Sequence, residues 1–251
     1  MEINFEQIEE VLESEAKLIK PENPGRLVFV GDTHGDLEAS RLVFAKYFDE
    51  RTTMVFLGDY VDRGPKSREN VNFLLNKKLN NPERVVLLQG NHEGLKYRDF
   101  GPVDFWNSLS PKTREKYRNL LARLPLALSW NGIIATHGGL PDLEAEEEIN
   151  RVEGGNPNWE KITWGDLNEV EGFILGGGFG RPQLGADYFD RAMEKFGKKV
   201  LIRSHQPNVP TYMFDDRCIT IFTSSAYGTR RRVAIAEGSV KSGSELQIDE
   251  I

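Results

Sequence analysis

The sequence predicts an α/β fold, a mainly parallel sheet covered by helices, in one compact domain over residues 1–251. Three observations carry that prediction. From Arg26 to Leu88, apolar runs of strand length alternate with segments of helical periodicity. Each of those runs gives way to glycines and polar or acidic residues within a few positions. A chain of 251 residues with 39% hydrophobic content is also large enough for one substantial core.

The elements follow in order. The glutamate-rich first twenty residues read as an amphipathic helix beside the domain, with Ile3, Ile8, Val11 and Leu12 on its apolar face. They lack the basic start and apolar centre of a signal peptide. Pro21-Glu-Asn-Pro-Gly25 breaks that helix, and Arg26 to Val30 is the first buried strand. Leu37 to Tyr47 reads as a crossover helix, Thr53 to Leu57 as a second strand, Ser67 to Leu79 as a helix and Val85 to Leu88 as a third strand. Strand, helix, strand, helix, strand is the pattern of parallel pairing. Beyond Pro111 a helix to Leu124 leads into Leu126 to Trp130, Asn131-Gly132 and Ile133 to Thr136, which spells a tight hairpin. The acidic stretch Asp142 to Glu153 and the glycine cluster Gly176 to Gly180 read as surface loops. Asp187 to Phe196 is a helix and Val200 to Arg203 a strand. Thr211 to Phe214, Ile219 to Thr223 and Val233 to Ala236 read as antiparallel strands, followed by a last short strand.

Bulk properties narrow the function. A net charge of −7 and a pI near 5.3 argue against a protein that grips nucleic acid or anionic membrane through overall charge. An anionic substrate therefore needs a strong local cation. A single cysteine, Cys218, excludes an internal disulfide and a cysteine metal cluster. With no apolar run near the ~18 residues of a membrane span, a cytoplasmic protein is expected.

The strand ends carry the chemistry. In α/β sheets, ligands gather where strands end in loops, and here the first three strands run into Asp32 and His34, Asp59 and Asp62, and Asn91 and His92. His137 and His205 follow two later strands, so all 4 histidines of the chain sit just past a predicted strand. Imidazole, carboxylate and amide donors suit manganese, iron, zinc or cobalt better than calcium. Two such ions need a shared carboxylate. Asp59, on the central strand, is the candidate bridge, with Asp32 and His34 completing one site and Asn91, His137 and His205 the other. His92 is left free; with Asp62 on its other nitrogen it forms a general acid pair. Arg63 offers a planar fork for phosphate oxygens.

In order and spacing, G31-D-T-H-G35, G58-D-Y-V-D-R-G64, G90-N-H-E93, H137-G-G-L140 and Ser204-His205-Gln206 resemble the motifs of the phosphoprotein phosphatase branch of the calcineurin-like metallophosphoesterases. The resemblance covers Gly31 to about Gly228. It implies a β-sandwich flanked by helices in α-β-β-α layers, and two divalent ions, manganese foremost with iron, zinc, cobalt or nickel as alternatives. It implies hydrolysis of serine and threonine phosphomonoesters through direct attack by a metal-bridging hydroxide. By motif, Asp32, His34, Asp59, Asn91, His137 and His205 are the implied metal ligands, His92 and Asp62 the acid pair, and Arg63 and Asn91 phosphate-binding groups. Tyr227, in Ser224-Ser-Ala-Tyr-Gly228, resembles the active-site tyrosine of a C-terminal motif that is shortened here.

Two features depart from the family pattern. Gln89 stands where arginine usually precedes the G-N-H-E string. Arg181, in Gly180-Arg-Pro-Gln-Leu-Gly185, is the candidate second phosphate-binding arginine, with Arg203 the alternative. Trp164-Gly-Asp166 resembles the family's Trp-Ser-Asp segment, which sets Asp166 at the cleft. The expected substrates are phosphorylated proteins or peptides, acted on by a monomer. The rival functions are a dinucleoside polyphosphate hydrolase of the same superfamily and a metal-binding scaffold without catalysis; a scaffold would need none of His92, Asp62 and Arg63.

Overall fold

Runs such as Leu27 to Val30 show no polar alternation because the strands they form are buried on both faces. The computed structural model describes residues 2–172, 180–228 and 230–251 and the backbone of 175–177. Its first half runs α1 (Phe5–Glu13), β1 (Leu18–Ile19), β2 (Arg26–Val30), α2 (Leu37–Tyr47), β3 (Thr52–Phe56), α3 (Ser67–Asn80) and β4 (Val85–Leu87). Next come α4 (Asp104–Ser108), α5 (Pro111–Leu121), β5 (Ala127–Trp130), β6 (Ile133–Thr136), α6 (Pro157–Trp164), β7 (Asp166–Leu167), β8 (Leu175–Gly177) and β9 (Arg181–Leu184). The described elements close with α7 (Ala186–Lys195), β10 (Val200–Arg203), β11 (Tyr212–Met213), β12 (Cys218–Thr220), β13 (Arg232–Ala236) and β14 (Gln247–Glu250).

Two mixed sheets face each other. One has the order β14-β13-β2-β3-β4 and the other β1-β5-β6-β10-β12-β11. Strand alternation decides which side chain goes where. Leu27, Phe29, Val55 and Leu57 point at Leu128, Ile133, Ala135 and Ile202 of the other sheet. Val28, Val30, Met54 and Phe56 turn outward under α1, α2, α3 and α5. On the far side Ile134 and Leu201 pack with Trp159, Ile162 and Phe189 of α6 and α7. The result is the helix-flanked β-sandwich that the resemblance implied.

The parallel set β2, β3, β4 and the hairpin β5–β6 form as expected, with Asn131 and Gly132 at φ 41° and 90°. Positive φ at both positions is the requirement of a type I′ turn. Three expectations need correction. The N-terminal helix stops at Glu13, and Leu18–Ile19 instead pairs parallel with Ala127 and Leu128. β12 is antiparallel to β11 but parallel to β10, because it enters the sheet by a crossover. Within the glycine cluster, Leu175–Gly177 pairs with β9 as a short strand; Gly178 and Phe179 lie outside the described residues. Local propensity disfavours a glycine strand, but the partner strand β9 supplies the ladder. No helix among the described residues is long and apolar enough to cross a membrane.

Candidate active site

Five strands aim their carboxyl ends at one crevice. β2 leads to Asp32 and His34, β3 to Asp59 and Asp62, β4 to Asn91 and His92, β6 to His137, and β10 to His205. Parallel pairing of β3 with β2 and β4, and of β6 with β10, makes those ends coincide. Hydrogen bonds then stitch the two sheets together at the crevice. The Asp32 N–H donates to Ser204 Oγ at 3.0 Å, and that hydroxyl donates to the Ile221 carbonyl at 2.6 Å.

The turns that follow are tight. His34, Asp59, Asp62, Arg63 and His205 all adopt positive φ, from 39° to 71°, which is uncommon for residues with a side chain and concentrates at functional sites. Glu93 holds the Asp59 turn: it accepts the N–H groups of Asp59 at 2.8 Å, Tyr60 at 2.9 Å and Gly90 at 3.1 Å. Gly90 is required by close approach, since a Cβ there would lie 2.3 Å from Asp59 Oδ1.

Asp59 stands between two groups of donors. Its Oδ2 is 3.5 Å from His34 Nε2, and its Oδ1 is 3.4 Å from His137 Nε2. His34 Nδ1 and His137 Nδ1 bond the carbonyls of Val61 and Leu57 at 2.8 and 2.9 Å, which turns each Nε2 into the crevice. His137 Nε2 also lies 3.1 Å from Asn91 Oδ1 and 3.1 Å from His205 Nδ1. Asp32 Oδ2 is 3.7 Å from His34 Nε2. The ligating atoms of Asp59, His137 and His205 fall within 4.8 Å of one another, as do those of His34, Asp59 and His92.

The chemistry of this donor set fits two divalent cations. Asp32 and Asp59 are buried, and among the described residues their ion-pair partners are imidazoles, with no lysine or arginine. Buried carboxylates of that kind are stable when they hold a metal. Burial, reinforced by the Asp59 charge, pushes Asp32 up to about 7. Burial likewise opposes ionisation of Asp59, but the imidazoles of His137 and His92 outweigh it and hold Asp59 well below the usual carboxylate range. Burial lowers His34 to about 3 and His205 to about 4, so both are neutral and ready to ligate. It would lower His137 too, but Asp59 and Asp32 raise that residue to about 9. A metal ion bound there would displace a proton.

Beside these donors, His92 Nδ1 meets Asp62 Oδ2 at 2.7 Å, while the other Asp62 oxygen accepts the Phe105 N–H at 2.8 Å. Burial works against an imidazolium at His92, yet Asp59 and Asp62 prevail and raise it above its ordinary value. Arg63 is exposed, with its guanidinium 5.1 Å from the ring centre of Tyr227, whose hydroxyl lies 3.4 Å from His34 Nε2. Arg181 reaches the other side: Nη1 is 3.5 Å from His205 Nε2 and 3.7 Å from Asp166 Oδ1. Asp166 Oδ1 is itself 3.4 Å from His205 Nε2.

Arg203 is committed elsewhere. It is fully buried, donating to the carbonyls of Gly138 at 2.6 Å and Gly165 at 3.2 Å and to Gln206 Oε1. Its fork ties loops together, and Arg181 is the arginine that faces the crevice. Gln89 likewise points away, accepting from Trp159 Nε1 at 2.5 Å and donating to the Leu121 carbonyl at 2.9 Å.

A sequence model of calcineurin-like phosphoesterases matches residues 25–209. The chain belongs to that family. Among curated relatives of this phosphoesterase is the probable serine/threonine-protein phosphatase of Encephalitozoon cuniculi, 30% identical over 266 residues that span 99% of this chain. The chain covers only 56% of that protein's own length. The serine/threonine-protein phosphatase 4 catalytic subunit of Saccharomyces cerevisiae is 29% identical over 87% of this chain and 75% of its own length. A solved protein serine/threonine phosphatase from Saccharomyces cerevisiae, described as similar to human phosphatase PP5, shares the fold. It superposes with a TM-score of 0.82 over 98% of this chain and 87% of that one, at 22% identity.

Sequence reasoning left two residues of the phosphoesterase without a role. Glu93 is the last letter of the G-N-H-E string, and its signal was an acid directly after a predicted ligand pair. Asp36 directly follows the first motif, and it caps α2 while accepting from Ser225 and Arg231.

Proposed function

We propose that the chain is a metal-dependent protein serine/threonine phosphatase acting on phosphorylated proteins or peptides. The observation that carries this reading is the buried His92–Asp62 pair at 2.7 Å, set beside two clusters of metal-type donors that share Asp59. Metal storage alone would need no such pair.

Asp32, His34 and Asp59 would hold one divalent ion, and Asp59, Asn91, His137 and His205 the other, with manganese the expected metal. Bound ions would supply Lewis acidity toward phosphoryl oxygens and a nucleophile from water near pH 7. The protein's own groups do the rest. Arg63 and Arg181 approach the crevice from two sides and clamp the phosphate between them, with Tyr227 seated under Arg63. Asn91 Oδ1 faces His137 among the metal-type donors, which leaves its amide N–H groups for a phosphoryl oxygen. His92, whose protonated form is favoured by Asp59 and Asp62 against its burial, gives its proton to the leaving serine or threonine alkoxide. Asp62 fixes the tautomer and the ring direction.

The test is hydrolysis of a phosphothreonine peptide by metal-stripped protein before and after Mn²⁺ is restored. Phosphate release that returns with Mn²⁺ is expected; silence in a sample shown to bind two ions would reject the reading.

A further inference from the structure

Next to the crevice, the surface carries cations that the fold does not use. A cavity of about 290 Å³ adjoins His34 and is walled by Arg63, Pro65, Lys66, Ser225 and Arg231. On one side the charges are settled. Arg231 Nε donates to Asp36 Oδ2 at 3.0 Å, and its Nη2 lies 3.4 Å from Glu38 on the rim. Asp36 also accepts the N–H groups of Ala39 and Ser225 at 3.1 and 3.0 Å, so this wall is built and neutralised.

The facing wall is different. Arg63 and Lys66 are both exposed, and among the described residues neither is ion-paired to a carboxylate. Tyr227 orients Arg63 toward the crevice. Lys66 occupies the N-cap of α3, a helix of 14 residues, and makes no side-chain capping bond. A cation at that position faces the positive end of the helix dipole, where serine, threonine or an acid would stabilise the helix instead. Lys66 thus works against α3, with no ion-pair partner among the described residues to offset it.

Building on the phosphatase reading, we propose that Lys66 and this cavity form a subsite for a second anionic group of the substrate, either a carboxylate or a further phosphate close to the phosphorylated residue. The cavity is large enough for one acidic side chain and lies within reach of the phosphate that Arg63 clamps. Lys66 is then a specificity residue: it selects acidic phosphoprotein segments and takes no part in the chemistry. Solvent exposure limits the effect to about two- to fivefold in kcat/KM at low ionic strength, shrinking as salt is added.

The experiment compares three phosphothreonine peptides on the Mn²⁺-loaded protein. One has alanine on both flanks, one glutamate, and one a non-hydrolysable phosphonate analogue of phosphoserine. Wild type should prefer at least one acidic peptide, and which one it prefers identifies the anion. Lys66→Ala should level the three rates, and Lys66→Arg should restore the preference. Equal kcat/KM on all three peptides in wild type, or a preference that survives in Lys66→Ala, would overturn the subsite while leaving the phosphatase reading intact. Failure to hydrolyse any peptide, or p-nitrophenyl phosphate, would bring down both.

Discussion

Asn91 and His92 are adjacent in sequence, yet their side chains meet different partners: Asn91 Oδ1 faces His137, and His92 Nδ1 faces Asp62. The geometry around His34 and Asp59 would also allow His92 to ligate a metal, so the two roles must be separated by measurement. Replacing His92 by Asn removes the proton donor and should lower kcat by about 10²- to 10⁴-fold. Metal content, read by elemental analysis, should stay at the wild-type level; loss of one ion would make His92 a ligand. Asp59→Asn should do the reverse, because an amide cannot supply two anionic oxygens to two cations. It should bind fewer ions per chain, and full stoichiometry would reject Asp59 as the bridge. These residues were legible in sequence because each lies just past a strand, and histidine, a rare type here, occurs nowhere else than at such ends. Arg203 was not. Its neighbour His205 faces the crevice, but only the folded packing shows that Gly138, Gly165 and Gln206 consume the guanidinium.

At the level of elements, the site depends on turns held away from relaxed backbone geometry. The Asp59 turn stays at φ 54° because Glu93 accepts three N–H groups from Asp59, Tyr60 and Gly90. Glu93→Ala would leave those donors buried without partners, at roughly 1–3 kcal/mol each. It should therefore lower stability by several kcal/mol and weaken metal binding, measured by chemical denaturation and by titration with Mn²⁺. An unchanged midpoint would show that Glu93 does not support the turn. The strands leading into these turns could be read directly from short, mostly apolar runs such as Thr53 to Leu57. β1 and β8 could not, since each is a few residues long and exists only because Ala127–Leu128 or Arg181–Leu184 offers a ladder. Such pairing is set by tertiary contact and leaves no local period to detect.

Over the whole molecule, chemistry gathers at one end of the sandwich while the chain is secured elsewhere. Lys20 beyond β1 and Lys198 before β10 both reach Glu146, at 2.8 and 2.9 Å, and Ser129 of β5 donates to it at 3.0 Å. Burial alone would raise the Glu146 carboxyl, but hydrogen bonds from Lys20, Lys198 and Ser129 prevail and hold it below its ordinary 4.5. A depressed carboxyl contributes stability above its unfolded value and loses it as pH falls through the folded one. Glu146→Gln should thus be less stable than wild type near pH 7, by on the order of 1 kcal/mol. The difference should close as the pH drops below 4.5, and thermal melts across that range that keep a constant gap would contradict the sign. The molecule as a whole is acidic, at −7, so under the proposed function a preference for phosphate has to come from bound ions and from Arg63 and Arg181 acting locally. The most direct test of the proposed function sets a phosphothreonine peptide against a dinucleoside tetraphosphate on one Mn²⁺-loaded preparation. Faster turnover of the peptide is the expected result, and faster turnover of the dinucleotide would contradict the assignment as a protein phosphatase.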